Sequence, residues 1–315
     1  MTAGPDRLRV LVVVLTYRRP ADLQEILPLL VAQAAQADPW TEVLVVDNDP
    51  DAGVGDLVRG FAARSPVRYA HEATPGIAAA RNRALSEAAG FDLLVFIDDD
   101  ERPVDDWLAR LLATYAIDRP TAVVGPVVSR YDAPPEPWIS AGRFFERRRM
   151  ATGTVVDVAA TNNLLLDLAQ VRRLDLRFDE RFGLTGGSDT LFTRQIFDRG
   201  GRMVWCDEAV GWDVVPTARL TRQWVLHRAY RSGNTYSRVA LERVTSGSGR
   251  LQVRAGLTVR GVARLVGGSA RYLGGALTGS LTGRARGRRT VARGAGMLSG
   301  TFGSVYAEYQ RAPSA

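Results

Sequence analysis

The sequence predicts an α/β fold in which a mostly parallel sheet is flanked by helices and followed by a basic helical appendage. Three observations predict this fold. Over the first 120 residues, β-branched apolar runs alternate with segments of helical periodicity. Several of these runs end directly in polar residues, and arginines are concentrated in the last third of the chain. Ligands of such sheets bind at the carboxyl ends of the strands, so the polar residues there are functional candidates.

Four strands are predicted in the first 120 residues, each followed by a helical segment. The strands cover residues 10–15, 42–46, 67–70 and 93–97, and the helices begin near residues 20, 56, 77 and 107. The run VLVVVL at 10–15 is continuously apolar, which is typical of a strand buried on both faces. Strands joined by helices predict parallel order. Further along, strands are predicted over 122–129 and 155–159, and a helix over 190–199.

The composition is that of an ordinary globular protein. The chain has 315 residues, of which 46% are hydrophobic and 24% charged. It contains no run of about 18 apolar residues, so no transmembrane helix is predicted. Cys206 is the single cysteine, which excludes an internal disulfide and a cysteine-based zinc site. A reducing, cytoplasmic location is therefore expected.

Charge is distributed unevenly along the chain. The net charge is +7, and every basic residue is an arginine. Residues 219–315 contain 17 Arg and 2 Glu, a net charge of +15, so residues 1–218 carry a net charge of −8. A basic appendage on an acidic globule indicates a phosphate-bearing partner, such as membrane headgroups, nucleic acid or lipid-linked pyrophosphates.

Five segments occur in the order, and at the strand ends, found in family 2 glycosyltransferases of the GT-A fold. They are LTYRR at 15–19, EVLVVDN at 42–48, PGIAAARN at 75–82, FIDDD at 96–100 and FDERFGLTGGSD at 178–189. Over roughly residues 8–215 the chain resembles that family, which implies a Rossmann-like sheet, a nucleotide-sugar donor, a divalent metal and inversion at the anomeric carbon. We predict a catalytic domain over 1–218, with a nucleotide-binding half (1–120) and an acceptor half (121–218), and a basic helical region over 219–315.

The three consecutive carboxylates at 98–100 are the candidate metal site. A sugar nucleotide loses a diphosphate, and Mg²⁺ or Mn²⁺, which prefers carboxylate oxygens, neutralises the developing charge. Alternate residues of an extended segment share a side, so Asp100 and Asp98 are the predicted metal ligands. Asp98 and Asp99 are also expected beside the nucleotide-sugar. The alternative is a charged turn that opens the next helix.

Further donor contacts are expected at three places. The resemblance implies that Asp47 accepts a hydrogen bond from the nucleotide base, with the turn of Thr16, Tyr17 and Arg18 beside it. A turn stabilised by the Asp47 side chain alone is the alternative. Arg81 opens an Ala-rich helix, where its guanidinium could grip diphosphate oxygens; the alternative is a solvated helix face.

Asp189 is the predicted catalytic base. An acceptor hydroxyl is a weak nucleophile, and a positioned carboxylate can remove its proton as it attacks. The family usually has Glu-Asp after two glycines, whereas this chain has Ser188 before Asp189, which puts acceptor choice in question. A helix cap is the alternative role. Many members of the family have a histidine near this point of the chain as a further metal ligand. Neither His71 nor His227 fits that position, so Asp213 is the candidate ligand. The alternative is that Asp213 is a carboxylate at the rim of the site.

An amphipathic helix is predicted over residues 250–273. On a helical wheel, five arginines share one arc and seven apolar residues lie opposite, although Val253 and Leu257 violate the pattern. The arginines are Arg250, Arg254, Arg260, Arg264 and Arg271. This arrangement favours an interfacial helix on anionic lipid, with packing on the catalytic domain as the alternative. No nucleic-acid partner is expected, because no aromatic stacking platform accompanies the arginines.

The sequence as a whole predicts a metal-dependent, inverting glycosyltransferase. Its acceptor could be a saccharide, a lipid-linked molecule or a small molecule. A cytoplasmic location is predicted, with peripheral attachment to the inner face of the plasma membrane as a further option. Two rivals stay open: a nucleotidyltransferase, although the turn at 16–20 lacks the glycines of a phosphate loop, and a non-catalytic nucleotide-sugar-binding module, which Ser188 keeps in consideration.

Overall fold

The computed structural model describes residues 8–63 and 65–306. The outer ends of the two predicted domains, residues 1–7 and 307–315, therefore lie outside the described residues. Contacts between backbone positions divide the chain into two units. The first comprises residues within 1–128, 147–184 and 188–213, and the second comprises residues within 129–146, 185–187 and 214–315. The predicted domain boundary after residue 218 stays a prediction.

The strands and helices alternate along the first half of the chain and give way to long helices at its end. The strands are β1 (Arg9–Thr16), β2 (Trp40–Asp47), β3 (Val67–His71), β4 (Leu93–Asp98), β5 (Glu101–Pro103), β6 (Ala122–Val124), β7 (Val127–Tyr131), β8 (Val155–Val156), β9 (Asn163–Asp167), β10 (Met203–Trp205) and β11 (Gly211–Val215). The helices are α1 (Pro20–Gln36), α2 (Gly55–Ala62), α3 (Ile77–Glu87), α4 (Trp107–Asp118), α5 (Pro137–Gly142), α6 (Leu168–Arg173), α7 (Ser188–Asp198), α8 (Arg222–Glu242), α9 (Gly247–Leu277) and α10 (Leu281–Thr301).

The large sheet confirms the predicted α/β class. In the described part of the chain it has eight strands in the order β3-β2-β1-β4-β9-β6-β10-β8. The strands β3, β2, β1 and β4 are parallel neighbours, and β9 runs antiparallel to both β4 and β6. A smaller sheet has the order β5-β11-β7.

Alternation along β1 builds a core on each face of the large sheet. Leu11 and Val13 join a cluster that includes the alanines of α3 and Phe192 of α7. Val10, Val12 and Val14 join a second cluster with α1 and α4. Because both faces are covered, the strand is apolar throughout, which is the pattern the sequence shows.

The register of the parallel strands brings their polar ends side by side. Thr16 pairs with Asp47 of β2, and Leu15 pairs with Asp98 of β4. Side chains that are more than 30 residues apart along the chain therefore meet at one edge of the sheet, which is where ligands of such sheets bind.

The structure corrects two predicted strands and adds one that was not predicted. The strand predicted over 122–129 is two strands, β6 and β7, interrupted at Gly125 and Pro126. A Cβ atom at Gly125 would lie 2.3 Å from the side-chain nitrogen of Asn163, so only glycine fits this crossing. The strand predicted over 155–159 covers only Val155–Val156, and the fully buried strand β9 was not predicted.

Three long helices, α8, α9 and α10, make up most of the second unit. Glycines form much of the surface along which α9 packs on α10. An added Cβ would meet backbone atoms of α10 at Gly268 and Gly275 and the Leu298 side chain at Gly261, each so closely that the neighbour would have to shift. Within residues 8–63 and 65–306, no helix combines the length and apolarity needed to cross a bilayer.

Candidate active site

The acidic motif at 98–100 lies at the carboxyl end of β4, beside the end of β1. Asp99 is buried and accepts hydrogen bonds from Thr16 Oγ1 at 2.9 Å and Arg19 Nη1 at 2.8 Å. The same Arg19 nitrogen donates to Asp100 Oδ2 at 3.0 Å. Burial raises the pKa of Asp99 to about 6, although Arg19 opposes that rise. Two of the predicted donor-site residues, Thr16 and Asp99, therefore bond directly to each other.

The pKa of Asp98 is raised further than that of Asp99. Desolvation and the charge of Asp100 raise its pKa to about 7, whereas the guanidinium groups of Arg81 and Arg147 oppose the rise. The charge of Asp100 thus acts on Asp98, although residues 99 and 100 form a turn and not the extended segment from which a shared side was predicted. A cation placed between them would relieve both their repulsion and the cost of burying Asp98.

Arg19, which the sequence analysis did not single out, contacts the acidic motif, whereas Arg18 does not. Arg18 has a φ of 55° and pairs with Asp49 and Asp51 near the end of β2. Its guanidinium lies 5.4 Å from the ring centroid of half-buried Tyr17. Burial would lower the pKa of Arg19, but the carboxylates of Asp99 and Asp100 outweigh it and raise that pKa. The left-handed backbone at Arg18 accompanies this divergence of two adjacent side chains.

Asp47 is fully buried at the end of β2 and holds the loop that follows it. Its carboxylate accepts from the backbone N–H groups of Asp49 at 2.9 Å and Val54 at 3.2 Å, and from the Tyr69 hydroxyl at 3.2 Å. Burial and the Asp47 charge raise the pKa of Tyr69 to about 12. Asp47 therefore stabilises the turn that follows β2, as the alternative interpretation of this residue proposed. Its predicted hydrogen bond with the nucleotide base stays a prediction.

Asn48, next in sequence, fastens the loop that leads into α3. Its amide nitrogen donates to the carbonyls of Glu72 and Thr74, both at 2.8 Å, and its oxygen accepts from the N–H of Gly76 at 3.0 Å. Gly76 has a φ of 122°, and an added Cβ would come within 3.0 Å of the Gly183 carbonyl carbon. The start of α3 is thereby held against the segment that precedes α7.

Arg81 connects the acidic motif to the helix that carries the predicted base. Its Nη1 donates to Ser188 Oγ at 2.7 Å, and its buried Nε has no hydrogen-bond partner among the described residues. The charge of Arg81 also opposes the rise in the pKa of Asp98, so this arginine of α3 bonds to α7 and acts electrostatically on the end of β4. Asp189 follows Ser188 in the first turn of α7, where its Oδ1 accepts from the N–H of Thr190 at 2.6 Å.

Aromatic packing places α7 beside β4. Phe178 stacks on Phe192 of α7 with ring centroids 4.1 Å apart, and meets Phe96 of β4 edge-on at 6.1 Å. Asn82 of α3 binds the same segment, donating to the carbonyl of Phe178 and accepting from its N–H, both at 2.9 Å. These contacts make the approach of Ser188 to Arg81 a consequence of core packing as well as of one hydrogen bond.

A second group of charged residues surrounds Glu101, directly after the acidic motif. Asp213 of β11 pairs with Glu101 of β5 in register, and Arg147 Nη2 donates to Asp213 Oδ2 at 2.6 Å. Glu101 Oε1 accepts from the Asn162 side chain at 2.7 Å, whereas its buried Oε2 has no partner among the described residues. Burial, followed by the charge of Asp98, raises the pKa of Glu101 well above its ordinary value.

The predicted metal ligands do not form a complete protein cage. In the described ranges, no three Asp, Glu, His or Cys side chains lie where they could hold one metal ion, so Asp98, Asp100 and Asp213 do not form the expected three-ligand group. Asp213 is engaged by Arg147 and Asp100 by Arg19. Mg²⁺ needs only one or two carboxylates when water and substrate phosphates complete its shell, so the metal role of Asp98 and Asp100 stays a prediction.

Arg19, Glu101, Arg147 and Asn162 are the site residues that sequence reasoning missed. Only Arg19 had a usable signal, because it lies in the LTYRR segment that carried the family resemblance. The contacts of the other three depend on long-range pairing: Glu101 meets Asn162 across 61 residues, and Arg147 meets Asp213 across 66.

Comparison with known proteins places this arrangement in a family. The model of the family described as "Glycosyl transferase family 2" matches residues 11–167. The chain is similar to the succinoglycan biosynthesis protein ExoM of Rhizobium meliloti (strain 1021), with 33% identity over 240 residues that cover 76% of this chain and 77% of ExoM. It is 31% identical over 160 residues to the galactofuranosyltransferase GlfT1 of Mycolicibacterium smegmatis, covering 50% of this chain and 51% of that protein.

Solved structures share the fold at low sequence identity. S. aureus TarS (residues 1–349) in complex with UDP aligns with a TM-score of 0.53 at 16% identity, covering 90% of each chain. GalNAc-T7 with UDP, GalNAc and Mn²⁺ aligns with a TM-score of 0.55 at 14% identity, covering 75% of this chain and 48% of that one. The family match and the identity to ExoM over 76% of the chain show that the protein belongs to glycosyl transferase family 2 and is a glycosyltransferase with a GT-A fold.

Proposed function

We propose that this enzyme transfers a sugar from a nucleotide-sugar to an acceptor hydroxyl, with inversion at the anomeric carbon and with the help of a divalent metal. The observation that carries the proposal is the 2.7 Å hydrogen bond from Arg81 to Ser188, the neighbour of Asp189, by an arginine whose charge also acts on Asp98. A displacement needs a leaving-group site and a base at one place, and Arg81 relates the two candidates to each other.

Asp189 is the proposed base. It would take the proton of the acceptor hydroxyl as that oxygen attacks the anomeric carbon and the bond to the diphosphate breaks. A single displacement of this kind inverts the configuration. The hydrogen bond from the Thr190 N–H to Asp189 Oδ1 orients the carboxylate, and Thr193 Oγ1 ties the same turn of α7 to the Ala159 carbonyl at 2.9 Å.

Arg81 is the proposed protein contact of the departing diphosphate. Its buried Nε has no hydrogen-bond partner within residues 8–63 and 65–306, so a phosphate oxygen would satisfy a donor that is otherwise costly to bury. Asp98 and Asp100 would hold the metal, which supplies charge neutralisation for the leaving group when bound. Solved neighbours were crystallised with UDP, UDP-GlcNAc or Mn²⁺, which supports the donor class and the metal by likeness of fold.

The remaining predicted residues form the proposed nucleoside side of the site. Asp47 would accept from the base, with Thr16, Tyr17 and Arg18 beside it and Asp99 braced by Arg19. Asp47 lies at the carboxyl end of β2, and its register partner on β1 is Thr16. We place Asp213 at the rim of the site as the anchor of Arg147, with metal binding as its second candidate role.

The proposed acceptor is a saccharide, a lipid-linked molecule or a small molecule, and the proposed place of action is a membrane surface on the cytoplasmic side. The name of ExoM, a succinoglycan biosynthesis protein, supports a saccharide acceptor. The +15 charge of residues 219–315 supports attachment to an anionic surface.

Product analysis with labelled nucleotide-sugars and Mn²⁺ tests the proposal. Sugar transfer releases a nucleoside diphosphate, whereas a nucleotidyltransferase exchanges pyrophosphate and a binding module turns nothing over. Asp189→Asn should bind the nucleotide-sugar as the unmodified chain does and lose at least about a hundredfold in transfer rate, because a general base contributes about 10²–10⁴-fold. Asp198→Asn, exposed at the other end of α7, is the control. Equal rates for Asp189→Asn and the unmodified chain would remove Asp189 from the mechanism.

A further inference from the structure

The helix α9 presents its large apolar side chains to solvent and its glycines to the protein. Leu257, Gly261, Gly268 and Gly275 are its buried residues, and an added Cβ at each of these three glycines would collide with α10. Val253 and Leu257, which broke the predicted amphipathic pattern, pack in a cluster with Leu241 and Met297. A helix of a soluble protein ordinarily does the opposite, because its large apolar residues are the ones that gain from burial.

Six exposed apolar residues form the outer face of α9. They are Leu251, Val259, Val262, Val266, Leu273 and Leu277, with exposed fractions from 46% to 89%. At 3.6 residues per turn they fall within an arc of roughly 80° and extend over about 39 Å of helix. We call these six residues the outer row. The outer row lies on the side of α9 that faces away from the buried glycines, so nothing within the described residues covers it.

The apolar surface continues into a groove beside the outer row. The groove has a volume of about 540 Å³ and is lined mainly by apolar residues of α8, α9 and α10, and Leu273 belongs both to it and to the outer row. Its charged lining residue is Arg288, whose guanidinium lies 5.2 Å from the ring centroid of Tyr272. A cation at the edge of an apolar groove suits a ligand with a hydrocarbon chain and an anionic head.

The charge of α9 and α10 indicates what kind of partner could cover the outer row. Residues 247–301 contain ten arginines and no acidic residue. Arg260, Arg264 and Arg271 lie on the side of α9 opposite the outer row, so the row can enter a hydrocarbon layer without carrying these charges into it. Two copies joined through their outer rows would bring two sets of arginines together with no acidic partner. An anionic lipid surface supplies both the apolar layer and the countercharge.

We propose that the outer row of α9 is the membrane-binding face of this protein, inserted among the acyl chains of an anionic bilayer while the arginines of α9 and α10 outside the row attract the lipid phosphates. The proposal specifies the membrane location suggested above and rests on it, but it does not depend on sugar transfer. It specifies the interfacial helix predicted over 250–273, because it names the apolar residues of α9 that make the insertion.

Vesicle binding of the full chain tests the proposal. The probes are phosphatidylcholine vesicles with and without about a third phosphatidylglycerol. The unmodified chain should sediment with the anionic vesicles, and the triple variant Val259→Gln, Val266→Gln, Leu273→Gln should bind them at least about tenfold more weakly, because three apolar side chains no longer enter the lipid. The matched control is Ile117→Gln, which changes an apolar residue of α4 that is 74% exposed. Its binding should equal that of the unmodified chain.

Direct insertion is measured with an environment-sensitive fluorophore on Val266→Cys. Cys206 is buried, so the introduced thiol is the accessible one, and Ile117→Cys is the control. Fluorescence should increase with anionic vesicles at residue 266 and stay constant at residue 117.

Release of nucleoside diphosphate from the donor should be the same in the triple variant as in the unmodified chain, which separates this proposal from the proposed reaction. Vesicle binding that survives the triple substitution would overturn it. So would self-association of the unmodified chain that the triple variant abolishes while neither protein binds vesicles, since the outer row would then be an interface between copies.

Discussion

Arg81 donates a 2.7 Å hydrogen bond to Ser188, a residue 107 positions away that occupies the place where the family usually has a glutamate. The carboxylate of a glutamate would neutralise the guanidinium, whereas a hydroxyl leaves its charge intact. Arg81 therefore keeps its positive charge for another anion, and its unpartnered Nε gives that anion a donor. In the proposed reaction the serine would therefore favour diphosphate binding by Arg81, and the site would lack one acidic contact near the acceptor.

Removing the Ser188 hydroxyl should weaken the site without unfolding the protein. Ser188→Ala takes away one of the Arg81 partners, and hydrogen bonds to charged groups contribute about 1.5–3 kcal/mol, so we expect the transfer rate at saturating acceptor to fall about tenfold or more. The control is Ser86→Ala on α3, whose hydroxyl bonds to the Asn82 carbonyl. Steady-state kinetics of both variants measure the effect. A Ser188→Ala enzyme as fast as the Ser86→Ala enzyme would show that the bond does not serve the reaction.

Arg19 and Arg18 should differ in their contribution, although they are adjacent. Arg19→Met leaves buried Asp99 and nearby Asp100 without their shared cation, so we expect a loss of about 1–3 kcal/mol in the free energy of unfolding, together with weaker donor binding. Arg18→Met removes ion pairs that an exposed guanidinium makes with buried Asp49 and exposed Asp51, and because solvent screens that guanidinium these pairs contribute about 0–1 kcal/mol. Urea unfolding of the two variants provides the comparison. An equal loss for both would mean that Arg19 is screened by solvent as fully as Arg18.

Metal dependence should follow the Asp98–Asp100 pair. Chelation by EDTA should stop transfer, and added Mn²⁺ should restore it. We expect this because Arg81 alone carries too little charge to neutralise the leaving diphosphate. Asp100→Asn should raise the Mn²⁺ concentration needed for half-maximal activity about tenfold or more. Asp213→Asn is the informative comparison, since it separates a metal ligand from an anchor of Arg147. A Mn²⁺ requirement unchanged in Asp100→Asn and increased in Asp213→Asn would transfer the ligand role to Asp213.

Two neighbouring glycines of α9 should respond oppositely to alanine. An added Cβ at Gly268 would lie 2.9 Å from the Val291 backbone nitrogen of α10, so Gly268→Ala should destabilise the helical hairpin by about 1–3 kcal/mol. At Gly267 nothing lies within 4 Å of an added Cβ, and Gly267→Ala should stabilise the helix by about 0.5–1 kcal/mol. Thermal unfolding followed by circular dichroism measures both. If both substitutions stabilise the protein, α9 does not pack on α10 as closely at Gly268 as described.

The sequence predicted those parts of the fold that depend on short-range periodicity. The β-branched runs before Thr16, Asp47 and Asp98 are long enough to identify buried parallel strands, and the structure confirms their order in the chain and their class. It did not predict β9, because five buried residues in the centre of the sheet have no alternation, and a short apolar run is compatible with several structures. Nor did it predict that residues 122–129 form two strands, since the break at Gly125 comes from the approach of Asn163.

By itself the sequence determined the strand ends, the residue types available there and the separation of charge between the two parts of the chain, because each of these is local or compositional. Only the tertiary structure decided which of two adjacent arginines reaches the acidic motif, that Ser188 meets Arg81, and that α9 turns glycine inward and leucine and valine outward. Those outcomes depend on backbone dihedrals and on contacts between distant segments, and helical periodicity identifies an apolar face without saying what covers it.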